Sequence, residues 1–177
     1  MTTRARSAWL ITAIWAGTLA ASMQAAVVDA AEANRACGLL TSSELEGVLG
    51  GNVTMNGGAP MPGGKTEICT GLAPTTSVML RLMTGLDPGR DRSGSKEKAG
   101  IELFKKMGAK VDVKTFGPIT CSTIEPPAEQ THKGINTTCT VTKDTAVAGI
   151  EVTAKGQKDM VSINRLRPLA EKMAGRF

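Results

Sequence analysis

Four cysteines constrain this chain more than any other feature, because all of them follow an N-terminal segment that resembles an export signal. They are Cys37, Cys69, Cys121 and Cys139. An even number of cysteines in a small exported domain is typical of a disulfide framework. The sequence therefore predicts a fold in which cross-links supplement the hydrophobic core.

The export segment is predicted from the charge pattern of the first 30 residues. Arg4 and Arg6 supply a positive start, and an uncharged stretch follows from residue 8 to about residue 28. Small residues at the end of that stretch are what a signal peptidase accepts. We therefore predict a signal peptide over residues 1–30, cleaved after Ala30, followed by a single domain over residues 31–177.

A retained membrane anchor is the alternative, since about 20 uncharged residues can span a bilayer. The stretch is rich in Ala, Thr, Ser and Gly and contains Gln24, which favours cleavage. A second cleavage site lies close by, after Ala33. We expect contact with a membrane only if the segment is retained.

Consecutive cysteines are predicted to pair, although four cysteines allow three pairings. Residues 119–124 and 135–141 resemble neighbouring strands, which would place Cys121 nearly opposite Cys139. In the chain-entropy model each bridge would stabilise the fold by about 3–4 kcal/mol. A metal site is the competing interpretation, but the sequence has no Cys-x-x-Cys motif. We predict neither a metal nor a cofactor.

Composition limits the classes of partner. Without residues 1–30 the chain keeps 19 basic and 15 acidic residues, scattered along its length. A nucleic-acid-binding protein concentrates its basic residues on one face. Only Phe104, Phe116 and Phe177 would remain as aromatic residues on which a base or sugar could stack. We expect no nucleic acid and, as partner, an unidentified protein or small ligand.

Residue periodicity predicts an α+β domain in which an antiparallel sheet carries about three helices on one side. The predicted helices cover residues 42–49 and 96–107 and begin again at residue 164. The predicted strands cover residues 52–55, 67–71, 77–84, 110–116, 119–124, 135–141, 145–154 and 161–163. Thr41 and Glu44 form a capping box before the first helix. In the second helix, Leu103, Phe104 and Met107 form the apolar set.

Three motifs point to chemistry and each has a simpler explanation. Residues 59–66 resemble a phosphate-binding loop, but such a loop needs a helix after it and the sequence predicts a strand. His132 could act as a base, yet it lies in a polar loop without an orienting carboxylate. Four methionines could bind Cu(I), but methionine more often fills irregular cores. These are Met55, Met61, Met79 and Met83.

Residues 37–45 read Cys-Gly-Leu-Leu-Thr-Ser-Ser-Glu-Leu. This opening resembles a broad group of small exported bacterial proteins and lipoproteins of unknown function, in which a second cysteine follows some thirty residues later, as Cys69 does. The chain differs in lacking a lipid-attachment cysteine and in adding Cys121 and Cys139. The resemblance implies an extracytoplasmic α+β module without an established activity.

Three functions are compatible with these features. The leading hypothesis is a periplasmic or secreted, non-enzymatic domain that binds a protein or a small ligand. A secreted hydrolase would require a pocket that gathers His132 with a carboxylate and a hydroxyl group. An inhibitor of a secreted enzyme would require a rigid exposed loop, for which residues 125–134 are the candidate.

Overall fold

The structure, a computed structural model, describes residues 34–58, 65–87 and 93–177. Within them the chain forms a seven-stranded antiparallel sheet and three α-helices, which confirms the predicted α+β class. The strands are β1 (Thr54–Gly57), β2 (Thr66–Leu72), β3 (Thr76–Met83), β4 (Lys110–Phe116), β5 (Ile119–Glu125), β6 (Ile135–Lys143) and β7 (Ala146–Ala154). The helices are α1 (Ser42–Leu49), α2 (Ser93–Lys106) and α3 (Ile163–Ala174). The predicted signal peptide, residues 1–30, lies outside the described residues.

The strands lie in the order β1-β2-β3-β7-β6-β5-β4, so β1 and β4 form the two edges. Two-residue turns join β4 to β5 and β6 to β7. Phe116 pairs with Ile119 around Gly117 and Pro118, and Gly117 has the positive φ of 58° that the first position of such a turn favours. Asp144, with φ of 50°, makes the equivalent turn between β6 and β7.

The structure contains two disulfides, Cys37–Cys69 and Cys121–Cys139. Cys121 and Cys139 lie directly opposite each other in the β5–β6 register. One cross-strand row runs through the core face of the sheet and contains three of the four cysteines. Its members are Cys69, Leu80, Ile150, Cys139 and Cys121, and all have 0% exposure.

Two helices cover this face. The capping box predicted at Thr41 and Glu44 starts α1, and Leu45 of α1 is completely buried. α3 lies over β6, β5 and β7 and contacts α1. Its apolar face is buried against the sheet, so these two helices supply the second layer of the core. The buried residues of α3 are Ile163, Leu166, Leu169, Ala170 and Met173.

Two expectations from the sequence differ from the structure. The strand predicted at residues 161–163 is wrong, because Ser162 is the extended N-cap residue of α3 and Ile163 begins that helix. Val161 and Ile163 are both buried, and their alternation with Ser162 imitates a strand. α2 forms, but its predicted apolar residues Leu103, Phe104 and Met107 are 57%, 40% and 49% exposed.

Candidate functional site

A cleft of about 880 Å³ opens on the helical side of the sheet. It lies between the 3-10 turn Cys37–Leu39, the first residues of α1, the ends of β3 and β7, and the last two residues of the chain. The lining residues are Asn34, Arg35, Cys37, Gly38, Leu39, Leu40, Thr41, Ser42, Met55, Leu82, Thr84, Ala146, Arg176 and Phe177. Its volume falls within the range of small-molecule sites, about 300–1,000 Å³.

The floor of the cleft is apolar. Leu39, Leu40 and Leu82 are only 2–3% exposed, so their side chains belong to the core and reach the cleft with one surface. Met55 and Phe177 are partly buried and pack against the same core. A ligand that enters the cleft would therefore contact a preformed apolar surface.

Arg35 and Glu67 form a polar rim on one side. The guanidinium of Arg35 lies 2.7–2.8 Å from the carboxylate of Glu67, and the backbone N–H of Arg35 donates a third contact at 2.6 Å. The side chain of Glu67 is 8% exposed, whereas that of Arg35 is 60% exposed. The buried carboxylate is thus compensated while the guanidinium still faces solvent and the cleft.

Arg176, held by Glu44, forms a second part of the polar rim. Arg176 donates to both carboxylate oxygens of Glu44 at 2.7 and 2.9 Å and to the carbonyl of Leu39 at 2.9 Å. The hydrogen bond from Arg176, followed by that from the Thr41 backbone, holds the pKa of Glu44 well below its usual range, and Lys172 contributes further. Glu44 also raises the pKa of Arg176. Glu44 therefore caps α1 and fixes a cleft residue at once.

Asn34 fixes the segment before the Cys37–Leu39 turn against the sheet. Its side-chain amide donates to the carbonyls of Gly58 and Ile68 at 2.8 and 3.0 Å, and its side-chain oxygen accepts from the N–H of Ala36. The residue is 3% exposed. Its three bonds, together with the Cys37–Cys69 disulfide, orient the turn that carries Arg35.

The polar groups that line the cleft include hydroxyl and guanidinium groups. The hydroxyl groups belong to Thr41, Ser42 and Thr84, and Cys37 is oxidised. The Thr41 hydroxyl donates to the Glu44 carboxylate at 3.2 Å, and Arg176 binds the same carboxylate. The cleft thus combines an apolar floor with two guanidinium groups.

His132 lies elsewhere, in the 3-10 segment Ala128–Lys133 between β5 and β6. It is exposed and borders a hollow of about 530 Å³ together with hydroxyl groups and two lysines. Among the described residues that line this hollow there is no aspartate or glutamate. In this hollow His132 is therefore accompanied by hydroxyl groups and lysines. The inhibitor hypothesis for residues 125–134 stays a prediction.

The other motifs are dispersed. Thr66, at the end of the phosphate-loop-like segment, begins strand β2, while residues 59–64 lie outside the described part. Met79 and Met83 lie on β3, on the face opposite Leu80, and Met55 faces the cleft. Within the described ranges no three His, Cys, Asp or Glu residues are grouped as metal ligands would be.

Sequence reasoning found the cysteines but missed Asn34, Arg35, Glu67 and Arg176. The one available signal was local: Asn34 and Arg35 are polar residues directly before the predicted bridge at Cys37. The partners of these residues are far away in sequence, up to 137 residues for Arg176 and Leu39. Such contacts depend on the complete fold.

None of the helices in the described residues combines the length and apolar character needed to cross a bilayer. The two disulfides are typical of proteins that mature in an oxidising compartment, which favours an exported protein.

Comparisons with known proteins show a distant likeness of fold. No family model and no curated protein matches the sequence. Among solved structures, the extracellular domain of PknH from Mycobacterium tuberculosis is similar, with a TM-score of 0.48 and 14% identity. The match covers 81% of this chain and 94% of that domain. A likeness at this level carries no conclusion about activity or ligand.

Proposed function

We propose that this protein is an exported, non-enzymatic binding domain of the periplasm or the extracellular space, and that the cleft beside the Cys37–Cys69 disulfide takes a small ligand. The observation that carries the proposal is an apolar cleft of ligand size whose lining includes the guanidinium groups of Arg35 and Arg176. The proposal places the chain with the small exported bacterial proteins that residues 37–45 resemble.

The lining indicates the class of ligand. Leu39, Leu40 and Leu82 favour an apolar body that is removed from water on binding. Arg35 and Arg176 are each paired with one carboxylate, and each guanidinium has five N–H donors, so donors remain for a ligand. A mainly apolar molecule with one anionic group, such as an alkyl carboxylate, suits both features.

Three probes with the same alkyl chain test this assignment: dodecanoate and dodecyltrimethylammonium below their critical micelle concentrations, and dodecanol below its solubility limit. We expect saturable 1:1 binding in calorimetric titration, strongest for dodecanoate and weakest for the cation. Arg35→Gln should reduce the preference for the anion, because it removes one of the two rim charges. Arg81→Gln, on the opposite sheet face, is the control and should leave the preference unchanged.

A blocking variant tests whether the probes occupy this cleft. A Cβ on Gly38 meets no atom within 4 Å, so Gly38→Leu adds bulk to the lining without a backbone clash. We expect it to weaken dodecanoate binding at least tenfold. Gly47→Leu is the matched control, since Gly47 is equally open but lies on the exposed side of α1. Absence of binding for all three probes, or equal binding by the two variants, would contradict the proposal.

A further inference from the structure

Strand β4 is a long sheet edge that is open to solvent. Among the residues that the structure describes it pairs with β5 alone, and five of its seven residues are exposed. The other edge differs: β1 has only four residues, and Asn34 and the sulfur of Cys37 pack closely over Gly57. An open edge of seven residues presents unpaired backbone groups to another strand. Proteins usually shorten or cover such an edge, as this one does at β1.

The sequence of β4 is complementary to itself. In an antiparallel pair of two β4 strands with full overlap, Lys110 lies opposite Phe116 of a second copy and Val113 lies opposite Val113. The same register places Asp112 opposite Lys114, twice because of the two-fold symmetry. The side chains of Asp112 and Lys114 are 60% and 48% exposed, so both can reach across. Opposite charges in this position stabilise a strand pair by about 0.2–1 kcal/mol each.

Neighbouring registers are disfavoured by the same charges. In an edge strand, every second residue directs its N–H and C=O groups away from the sheet. Two copies of β4 can therefore hydrogen-bond only in registers in which one residue lies opposite the same residue of the second copy. Pairing around Asp112 would oppose two aspartates and place Lys110 opposite Lys114. Pairing around Lys114 would oppose two lysines. The register around Val113 therefore combines the longest overlap with charge complementarity.

Exposed apolar side chains lie on β4 and on α2, which packs against it. Val113 is 40% exposed on the sheet face opposite the core. Within the described residues α2 packs mainly on β4, and Leu103 and Phe104 of this helix and Met107 just after it are exposed. Exposed apolar side chains therefore lie both on β4 and on the helix that packs against it.

We propose that the protein forms a two-fold symmetric dimer in which two β4 strands pair antiparallel around Val113. The two sheets then become continuous, and their helical faces lie on the same side because the symmetry axis is perpendicular to the sheet. The charge pattern of β4 favours a second copy of the same chain as the partner of this strand. This assembly is independent of the ligand cleft, which lies towards the opposite end of the sheet.

Charge exchange tests the register in the oxidised, exported protein. Sedimentation velocity should show a concentration-dependent dimer for the unchanged protein. Asp112→Lys alone and Lys114→Asp alone each place like charges opposite each other and should weaken dimerisation at least tenfold. The double variant Asp112→Lys/Lys114→Asp should restore the dimer, and an equimolar mixture of the two single variants should form a heterodimer. Lys133→Asp, an exposed charge reversal elsewhere, is the control and should dimerise normally.

A cross-link gives a second readout that does not depend on charge. Val113→Cys should form an intermolecular disulfide on mild oxidation, because the two residues face each other. Thr115→Cys should not, since Thr115 faces Val111 of the second copy. A monomer at about 200 μM, a dimer that Asp112→Lys leaves intact, or equal cross-linking of both variants would overturn the proposal. So would a monomer that binds phosphatidylglycerol vesicles through Leu103 and Phe104, which would make a lipid surface the occupant.

Discussion

α2 and α3 are both helices with apolar residues at helical spacing, yet only α3 belongs to the core. Leu166 and Met173 of α3 are completely buried, whereas Leu103 and Phe104 of α2 are about half exposed. The difference lies in the sheet beneath them: α3 lies across three strands, while α2 has its main described contact with the edge strand β4. An amphipathic pattern therefore predicts a helix, but the surface it meets decides how much that helix stabilises the fold.

Truncation of one leucine in each helix gives the largest expected contrast. Leu166→Ala should lower the free energy of unfolding by about 4 kcal/mol, because it leaves a cavity in a fully packed site. Leu103→Ala should change it by less than about 0.5 kcal/mol, as is usual for exposed positions. Urea unfolding followed by circular dichroism measures both. Equal losses would mean that α2 is packed as tightly as α3.

The disulfide beneath α3 has the next largest expected effect. Replacing Cys121 and Cys139 together with alanine should lower the free energy of unfolding by about 3 kcal/mol, since the bond closes a loop across 18 positions. Hydrogen exchange should then rise most in β4, which is joined to the rest of the sheet through β5 alone. Unchanged protection of β4 would show that this edge is held independently of the bond. The intact protein in reductant-free buffer is the reference.

Substitution of Glu44 has the smallest expected effect on stability. It distinguishes the contribution of the ion pairs from that of the capping box. Glu44→Gln keeps a side chain that can complete the capping box but loses the ion pairs with Arg176 and Lys172. We expect a loss of about 1 kcal/mol at pH 7, because these pairs are partly screened by solvent. Glu46→Gln, two residues further along α1 and outside these ion pairs, is the control.

The pH dependence of that loss follows from the lowered pKa of Glu44. A carboxylate with a lower pKa in the folded state stabilises the fold at pH values above its unfolded pKa, about 4.3. The stabilisation is lost as the pH falls through the folded pKa. The difference between the unchanged protein and Glu44→Gln should therefore be constant near neutrality and shrink below about pH 4.5. A difference that grows on acidification would contradict this assignment.

Much of the fold could be predicted because it is locally determined. The capping box at Thr41 and Glu44 marks the start of α1, and polar and apolar residues alternate over residues 110–114 of β4. The strand expected at residues 161–163 was wrong because an N-cap residue can be extended without belonging to a sheet. The solvent exposure of α2 could not be predicted either, since it depends on which strand the helix meets.

The residues that form the cleft were harder to predict from the sequence than the helices and strands. The disulfide at its side was expected from the pairing of consecutive cysteines, but its rim joins Arg176 to Glu44 and Arg35 to Glu67 across long stretches of chain. Scattered charges give no sign of such pairs before the strands are placed. Local patterns therefore predicted the scaffold, while the site arises from contacts between the two ends of the sequence.

Pairing of consecutive cysteines has a consequence for how the protein matures. A chain that crosses a membrane with its N-terminus first exposes Cys37 and Cys69 to the oxidising side before Cys121 and Cys139 follow. Cys37 and Cys69 are then the first two thiols that can react with each other, and Cys121 and Cys139 are the next two. The order of emergence alone can thus produce both native bonds without reshuffling by an isomerase.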